Sequence, residues 1–199
     1  MSDASASSTA NSLPFNFYWK NSVTESIYLA EEIFFPNGTI AGIEYHYEFV
    51  QDLAAQPLKV WIKNTDAQDL SSGWLSSDGY TLVFDSVLDF AAGSGSVFLS
   101  FLQPFVYTGG NLAIRANRPM DSVYYLSGNH FRQYSSPEAP NRSRHIQSDS
   151  IVYDPQAPPA EPSVHSFHNS LCCCKISLWT SLNCRSTAKE PISCSVGHP

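Results

Sequence analysis

The residues best suited to chemistry in this chain are aromatic. Trp61, Trp74, Tyr80, Tyr124, Tyr125 and Tyr134 together offer flat π faces that stack on the apolar C–H side of a sugar ring, with nearby Asn and Asp to bond its hydroxyls. The competing reading is that strands favour Tyr and Trp for packing alone. Trp74 stands apart because it lies in SSGWLSSDG, a loop by composition, and Tyr124-Tyr125 stand apart as an adjacent pair. These three, Trp74, Tyr124 and Tyr125, are the candidate ligand-binding residues, and a loop Trp in particular has less reason to exist for packing alone.

Acidic groups suggest a second chemistry. Asp66, Asp69, Asp78, Asp85 and Asp89 supply hard oxygens of the kind Ca²⁺ requires. None is spaced as a D-x-D-x-D-G loop, and Asp in a turn ordinarily bonds its own backbone. No cofactor is therefore expected, with a structural calcium ion as the alternative. Glu31-Glu32 and the pair Glu44 and Glu48 are the carboxylates that could serve glycoside hydrolysis. Even spacing puts Glu44 and Glu48 on one strand face, which reads as a solvent side.

Nucleophilic and nucleotide chemistry lack their signatures. There is no G-x-S-x-G, no P-loop, no G-x-G-x-x-G and no H-E-x-x-H, and His46, His130 and His145 fall in strand-like segments. Arg115 and Arg118 flank Asn117 and are positioned to pair with Asp121 or Asp149, pinning a strand end; an anion site is the alternative. No catalytic residue is expected. With a net charge of −7 and no basic run, nucleic acid is not an expected partner either.

The elements that must position these groups read as strands. Phe98 to Met120 holds two alternating arms: Phe98, Ser100 and Leu102 oppose Leu99 and Phe101, then Leu112, Ile114 and Ala116 oppose Ala113, Arg115 and Asn117. Period two across both arms predicts half-buried antiparallel strands joined through Gly109-Gly110. Further strands are expected at Phe15–Lys20, Val23–Ile33, Thr39–Val50 with a bend at Gly42, Pro57–Asn64, Thr81–Asp85, Ser122–Leu126, His130–Ser135 and Ser143–Asp154. Many short strands with frequent turns and no βαβ rhythm predict an all-β, antiparallel two-sheet sandwich, jelly-roll-like.

Domain limits follow from composition. Residues 1–12 are Ser/Ala-rich and read as a flexible leader, residues 13–158 as the sandwich, and residues 159–199 as a Pro-rich linker and Cys-rich tail without order. From residue 163 onward all five Cys appear together with a single acidic residue, whereas the preceding part has seventeen acidic residues and no Cys. Three consecutive Cys at 172–174 suit zinc poorly, and five leave one unpaired in any disulfide scheme. An out-of-frame extension accounts for the change in charge, periodicity and Cys content together. No export signal and no apolar stretch long enough to span a membrane is expected.

The ordered series IYLAEEI, GTIAGIEYHYEF, PLKVWIKNT, GW followed by TLVFDSVLDF, PFVYTGGNLAIRANRPMDS and NRSRHIQSDSIVYDP carries a match that covers about Leu13 to Pro158. It resembles a β-sandwich module found in large, multi-domain secreted or surface proteins of Bacteroidetes and related bacteria, beside peptidase, fibronectin-like or sorting domains. The resemblance implies an extracellular, adhesive or ligand-presenting module that meets a carbohydrate or protein surface and the neighbouring domains of a larger chain. It implies no catalytic residues. The alternatives are a purely structural accessory domain and a small jelly-roll hydrolase.

Overall fold

The computed structural model describes residues 9–10, 13–33, 35–135, 141–159, 166–168, 170–172 and 174–178. Its strands are β1 (Thr9–Ala10), β2 (Asn21–Tyr28), β3 (Gly38–Phe49), β4 (Leu53–Thr65), β5 (Thr81–Phe90), β6 (Gly93–Tyr107), β7 (Asn111–Arg118), β8 (His130–Ser135), β9 (Ser143–Ser148), β10 (Ser166–His168), β11 (Ser170–Cys172) and β12 (Cys174–Leu178). One 3-10 turn, Ala30–Glu32, follows β2. All pairings are antiparallel, and they form two six-stranded sheets. One sheet runs β10-β9-β2-β7-β4-β5, while the other is centred on β3, with β6 along one edge and β8 and β12 on the other. The chain is an all-β two-sheet sandwich, as its strand pattern predicts.

The core forms where both sheets turn their apolar alternation inward. Ile40, Ile43, Tyr45, Tyr47 and Phe49 of β3 meet Leu58, Val60 and Ile62 of β4 and Leu112, Ile114 and Ala116 of β7 in one cluster. Phe131 of β8 sits at its aromatic centre, with Phe15, Phe17, Tyr45, Tyr47, Phe49 and Phe90 at 5.3–6.4 Å between ring centroids. Most of these contacts are edge-to-face, the arrangement that brings a ring's positive edge to another's negative face. The bend expected at Gly42 is real: the pairing of β3 with β6 jumps from Ile40↔Phe105 to Gly42↔Ser100. A side chain at position 42 would collide with the Phe98 ring, its Cβ lying 2.3 Å from Cζ, so glycine is what lets Phe98 lie across the bend.

Five expectations need correction. The strand expected over Ser143–Asp154 ends at Ser148, where Asn21 Nδ2 bonds the Ser148 and Ile151 carbonyls and turns the chain away. Phe15–Lys20 is not a strand; Phe15 and Phe17 are buried and Tyr18 is exposed, but no strand runs through them. Ser122–Leu126 is likewise a loop, which spans residues 119–129 between β7 and β8. The strand expected over Val23–Ile33 ends at Tyr28 and gives way to the 3-10 turn. Finally, β7 is buried on both faces from Leu112 to Arg118 instead of half-buried, because residues 66–80 fold back over the outer side of its sheet.

The expected leader at residues 1–12 lies, apart from Thr9 and Ala10, outside the described residues, as do Cys173, Cys184 and Cys194. Within the expected irregular tail, Ser166–His168, Ser170–Cys172 and Cys174–Leu178 form β10, β11 and β12, which pair with β9, β8 and β3 respectively. A physical reason is available in the open edges of those strands, whose backbone groups gain partners from any extended segment laid beside them.

Candidate functional site

Strand register sorts the loops into two ends. Asn21 pairs with Ser148, Ser22 with Arg118, Lys59 with Asn117, and Phe49 with Gly93. The starts of β2 and β4 therefore share an end with the finishes of β3, β7 and β9. Residues 18–20, 50–52, 119–129 and 149–152 cluster there, and Tyr124 is among them. The 66–80 loop leaves β4 at the opposite end, then returns over the outer face of the β2–β7 sheet, carrying Trp74 with it. The candidate residues are thus not brought together: Tyr124 stands at one end and Trp74 lies over a sheet face.

What pulls the 66–80 loop down is a buried row of charge. Register places Arg144, Glu25, Arg115 and Trp61 side by side across β9, β2, β7 and β4. Glu25 and Arg115 have 0% side-chain exposure and form an ion pair of 2.6 Å. The carboxylate of Glu25 accepts from Arg115 Nε (2.9 Å) and Nη2 (2.6 Å), from the Tyr80 hydroxyl (2.6 Å), and from the Leu75 amide (2.9 Å). Arg115 in turn donates to the Leu75 carbonyl, to Ser77 Oγ and to the Pro155 carbonyl. Desolvation, then the adjacent Glu25 charge, hold the Tyr80 hydroxyl well above the usual phenol range, so it stays a donor. Its ring also carries Arg115 at 4.4 Å and Lys63 at 4.6 Å.

Trp74 is held at the far side of this row. Its ring stacks on the Arg144 guanidinium at 5.3 Å, and its Nε1 donates to the Pro159 carbonyl at 3.2 Å. Gly73 has φ +124 and leaves Arg144 Nη1 only 3.1 Å from where a Cβ would sit, so glycine allows both the turn and the stack. Between residues 72–77 and residues 156–158 lies a cleft of about 300 Å³.

At the other site, Arg118 organises the 119–129 loop. Its side chain is fully buried and donates to Asp121 Oδ2 (2.9 Å), to the Val123 carbonyl (2.9 Å) and to the Trp19 carbonyl. Burial lowers its pKa from the ordinary guanidinium value, opposed by Asp121. The expected pairing of Arg118 with Asp121 is therefore present, while Arg115 takes Glu25 instead. Tyr125 faces inward: its amide donates to the Phe17 carbonyl (2.8 Å), its hydroxyl accepts from buried Gln56 (2.7 Å), and its ring meets Phe17 edge-on at 6.5 Å. It serves as an anchor for the loop. Tyr124, between the Val123 carbonyl held by Arg118 and the inserted Tyr125, is 59% exposed.

Around Tyr124 the loops expose apolar side chains together with Asp52, Ser122 and Ser127. Val50, Val123 and Leu126 are exposed, and residues 50–51 touch the loop through Val50 N–H to Asn129 Oδ1 (3.1 Å) and Leu126 N–H to Gln51 Oε1 (3.4 Å). Ile151 and Val152 are exposed at the same end, and Asn21 Nδ2 holds the Ile151 carbonyl there at 2.8 Å.

Four of the five Asp candidates have hydrogen-bond partners within the chain. Asp69 accepts from the Ser71 amide and hydroxyl, Asp78 from Ser76 Oγ, Asp85 from Lys59 and Asp89 from the Ala55 amide. Glu32 pairs with Arg142 at 2.5 Å and caps the Leu29 amide. Among the described residues no three His, Cys, Asp or Glu side chains converge as a metal site. His130, opposite Glu48 on β3, has its imidazole pKa lowered by desolvation, against which the Glu48 charge acts. A histidine kept neutral by the fold stabilises it above its unfolded value of about 6.5 and withdraws that stability as pH falls through the folded value. Acidification from neutral pH towards 5 should therefore lower the urea midpoint more in the native protein than in His130→Gln; equal slopes would remove His130 from the account.

Glu25 and Arg144, which hold the 66–80 loop through Tyr80, the Leu75 amide and Trp74, are residues that the strand pattern alone did not single out. The signal for Glu25 was present: Val23, Glu25 and Ile27 share a face by period two, so an apolar face held one carboxylate. No family model matches the chain, and no curated protein matches it.

Proposed function

We propose that the chain is a non-catalytic binding module that uses the Tyr124 end of the sandwich to grip an apolar patch on a protein at the cell surface. The observation carrying this reading is the posture of Tyr124, exposed between two fixed neighbours and flanked by exposed Val50, Val123 and Leu126. An aromatic that is already ordered gives up little conformational entropy on contact, which is how rigid loop tyrosines become binding anchors. Exposed valines and a leucine in the same loops, with Asp52, Ser122 and Ser127 beside them, match the apolar centre and polar rim of a protein interface. The resemblance to modules of secreted and surface proteins supports an extracellular setting, with neighbouring domains of a larger chain as further partners.

The test is retention of the immobilised protein's targets from a panel of bacterial surface proteins and purified glycans. Tyr124→Ala should lose at least tenfold in affinity, since central aromatic anchors cost about 2 kcal/mol or more on truncation. Its thermal midpoint should move by only about a degree or two, because the residue is mostly exposed. Retention of glycans alone, unchanged by the substitution, would overturn the proposal.

A further inference from the structure

We propose that Trp74, Ser77 and Arg115 form a second recognition site, a groove for proline-rich peptide segments that open on an Asp-Pro turn, and that residues 154–159 of the chain are its built-in occupant. The sequence of this strap is Asp154-Pro155-Gln156-Ala157-Pro158-Pro159. It begins with a turn in which Ala157 N–H donates to the Asp154 carbonyl (3.1 Å) and Gln156 N–H to Asp154 Oδ1 (2.8 Å). Its carbonyls then face the groove: Pro155 accepts from Arg115 Nη1 (2.8 Å), Gln156 from Ser77 Oγ, and Pro159 from Trp74 Nε1 (3.2 Å).

Three features make this a ligand-and-receptor arrangement. All three hydrogen bonds run from groove donors to strap carbonyls, which any chain of similar backbone shape supplies; proline pre-sets that shape at low entropic cost. An indole N–H directed at a carbonyl beside a proline ring is a recurring way of reading proline-rich segments, and Pro158 lines the same cleft as Trp74. The strap also leaves room beside it, because an open surface cleft of about 300 Å³ lies between residues 72–77 and residues 156–158, where a side chain of a bound segment has space to enter. Arg115 does not depend on the strap, since Glu25, the Leu75 carbonyl and Ser77 still engage it when the strap lifts.

A tethered occupant competes at an effective concentration in the millimolar range, so an outside peptide meets a mostly filled site. The probe is the peptide Tyr-Asp-Pro-Gln-Ala-Pro-Pro-Ala, titrated into the full-length chain while the Trp74 indole N–H resonance is followed, assigned by Trp74→Phe. The native protein should bind weakly. The full-length variant carrying Pro155→Ala, Pro158→Ala and Pro159→Ala should bind roughly tenfold more tightly, because its own strap is no longer pre-shaped. A peptide with all three prolines changed to Ala should bind roughly tenfold more weakly than the original.

No shift of the Trp74 signal in either protein at millimolar peptide would overturn the proposal, as would equal binding of the all-Ala peptide. Should the triple variant fail to fold, hydrogen exchange on the native chain decides. Trp74 Nε1–H exchanging far faster than the β7 amides shows strap opening without global unfolding, and exchange at the β7 rate shows a fixed seam and overturns the inference. These readouts are independent of Tyr124, so either site can fail without the other.

Discussion

Glu25→Ala should lower the free energy of unfolding by about 3–5 kcal/mol, the range for removing one partner of a buried ion pair. The reason is what stays behind. Arg115 would remain fully buried with its charge uncompensated, and the Leu75 amide and Tyr80 hydroxyl would lose their acceptor together. Glu25→Gln should recover only part of the loss, because one amide oxygen cannot replace a carboxylate that accepts four hydrogen bonds, and the new N–H₂ would face donors. Replacing both partners by apolar groups, Glu25→Leu with Arg115→Met, should be milder than Glu25→Ala, since no charge is then stranded. Urea unfolding of the four proteins measures all of this; a cost below about 1 kcal/mol for Glu25→Ala would mean that water reaches Arg115 and that the row is no latch.

This expectation also shows how far the sequence could be read. Strands whose one face is apolar and whose other face meets solvent, such as β3, or whose ends are marked by turn residues, such as β8, were legible because period two is a local property. The burial of Glu25 was not local. It is produced by residues 66–80, some 40–55 positions further along, and a face covered by a distant loop carries no compositional warning except one carboxylate among Val23 and Ile27. The reverse occurs at Phe15–Lys20 and Ser122–Leu126, where single aromatics, Phe15, Phe17 and Tyr125, are inserted while the backbone bonds elsewhere. Tyr125 illustrates it: the residue beside an exposed tyrosine is inserted, bonded to Gln56 and Phe17, and no ladder is involved.

The same logic governs the candidate site. Tyr124 and Tyr125 are equivalent in sequence and opposite in role, and only the position of Gln56 and Arg118 distinguishes them. Trp74 read correctly as a loop tryptophan, but its partners Arg144 and Pro159 lie about 70 and 85 positions away. Loop aromatics can be located from sequence, whereas what they face depends on which elements the fold folds beneath them.

Arg118→Ala is expected to have the second large effect, and it separates two roles that Tyr124→Ala cannot. The guanidinium is the side chain that joins Asp121, the Val123 carbonyl and the Trp19 carbonyl, alongside the backbone bond from Asp121 N–H to the Lys20 carbonyl, and it stacks between Phe17 at 5.4 Å and Tyr125 at 5.6 Å. Its removal leaves those acceptors without their donor and opens space beside two aromatic rings, a loss of about 3 kcal/mol or more by the standard of buried charged hydrogen bonds. Lysine should not rescue it, because one ammonium on a flexible stem cannot match the planar fork that reaches three acceptors at once. The decisive measurement is target binding well below the shifted unfolding midpoint, where the variant is still folded. If Tyr124 binds because its loop is pre-ordered, Arg118→Ala should weaken binding roughly tenfold while leaving Tyr124 itself in place, since the ordering cost moves from folding to association. Unimpaired binding by a folded Arg118→Ala protein would show that the loop needs no support, and the posture of Tyr124 would then no longer argue for a recognition site.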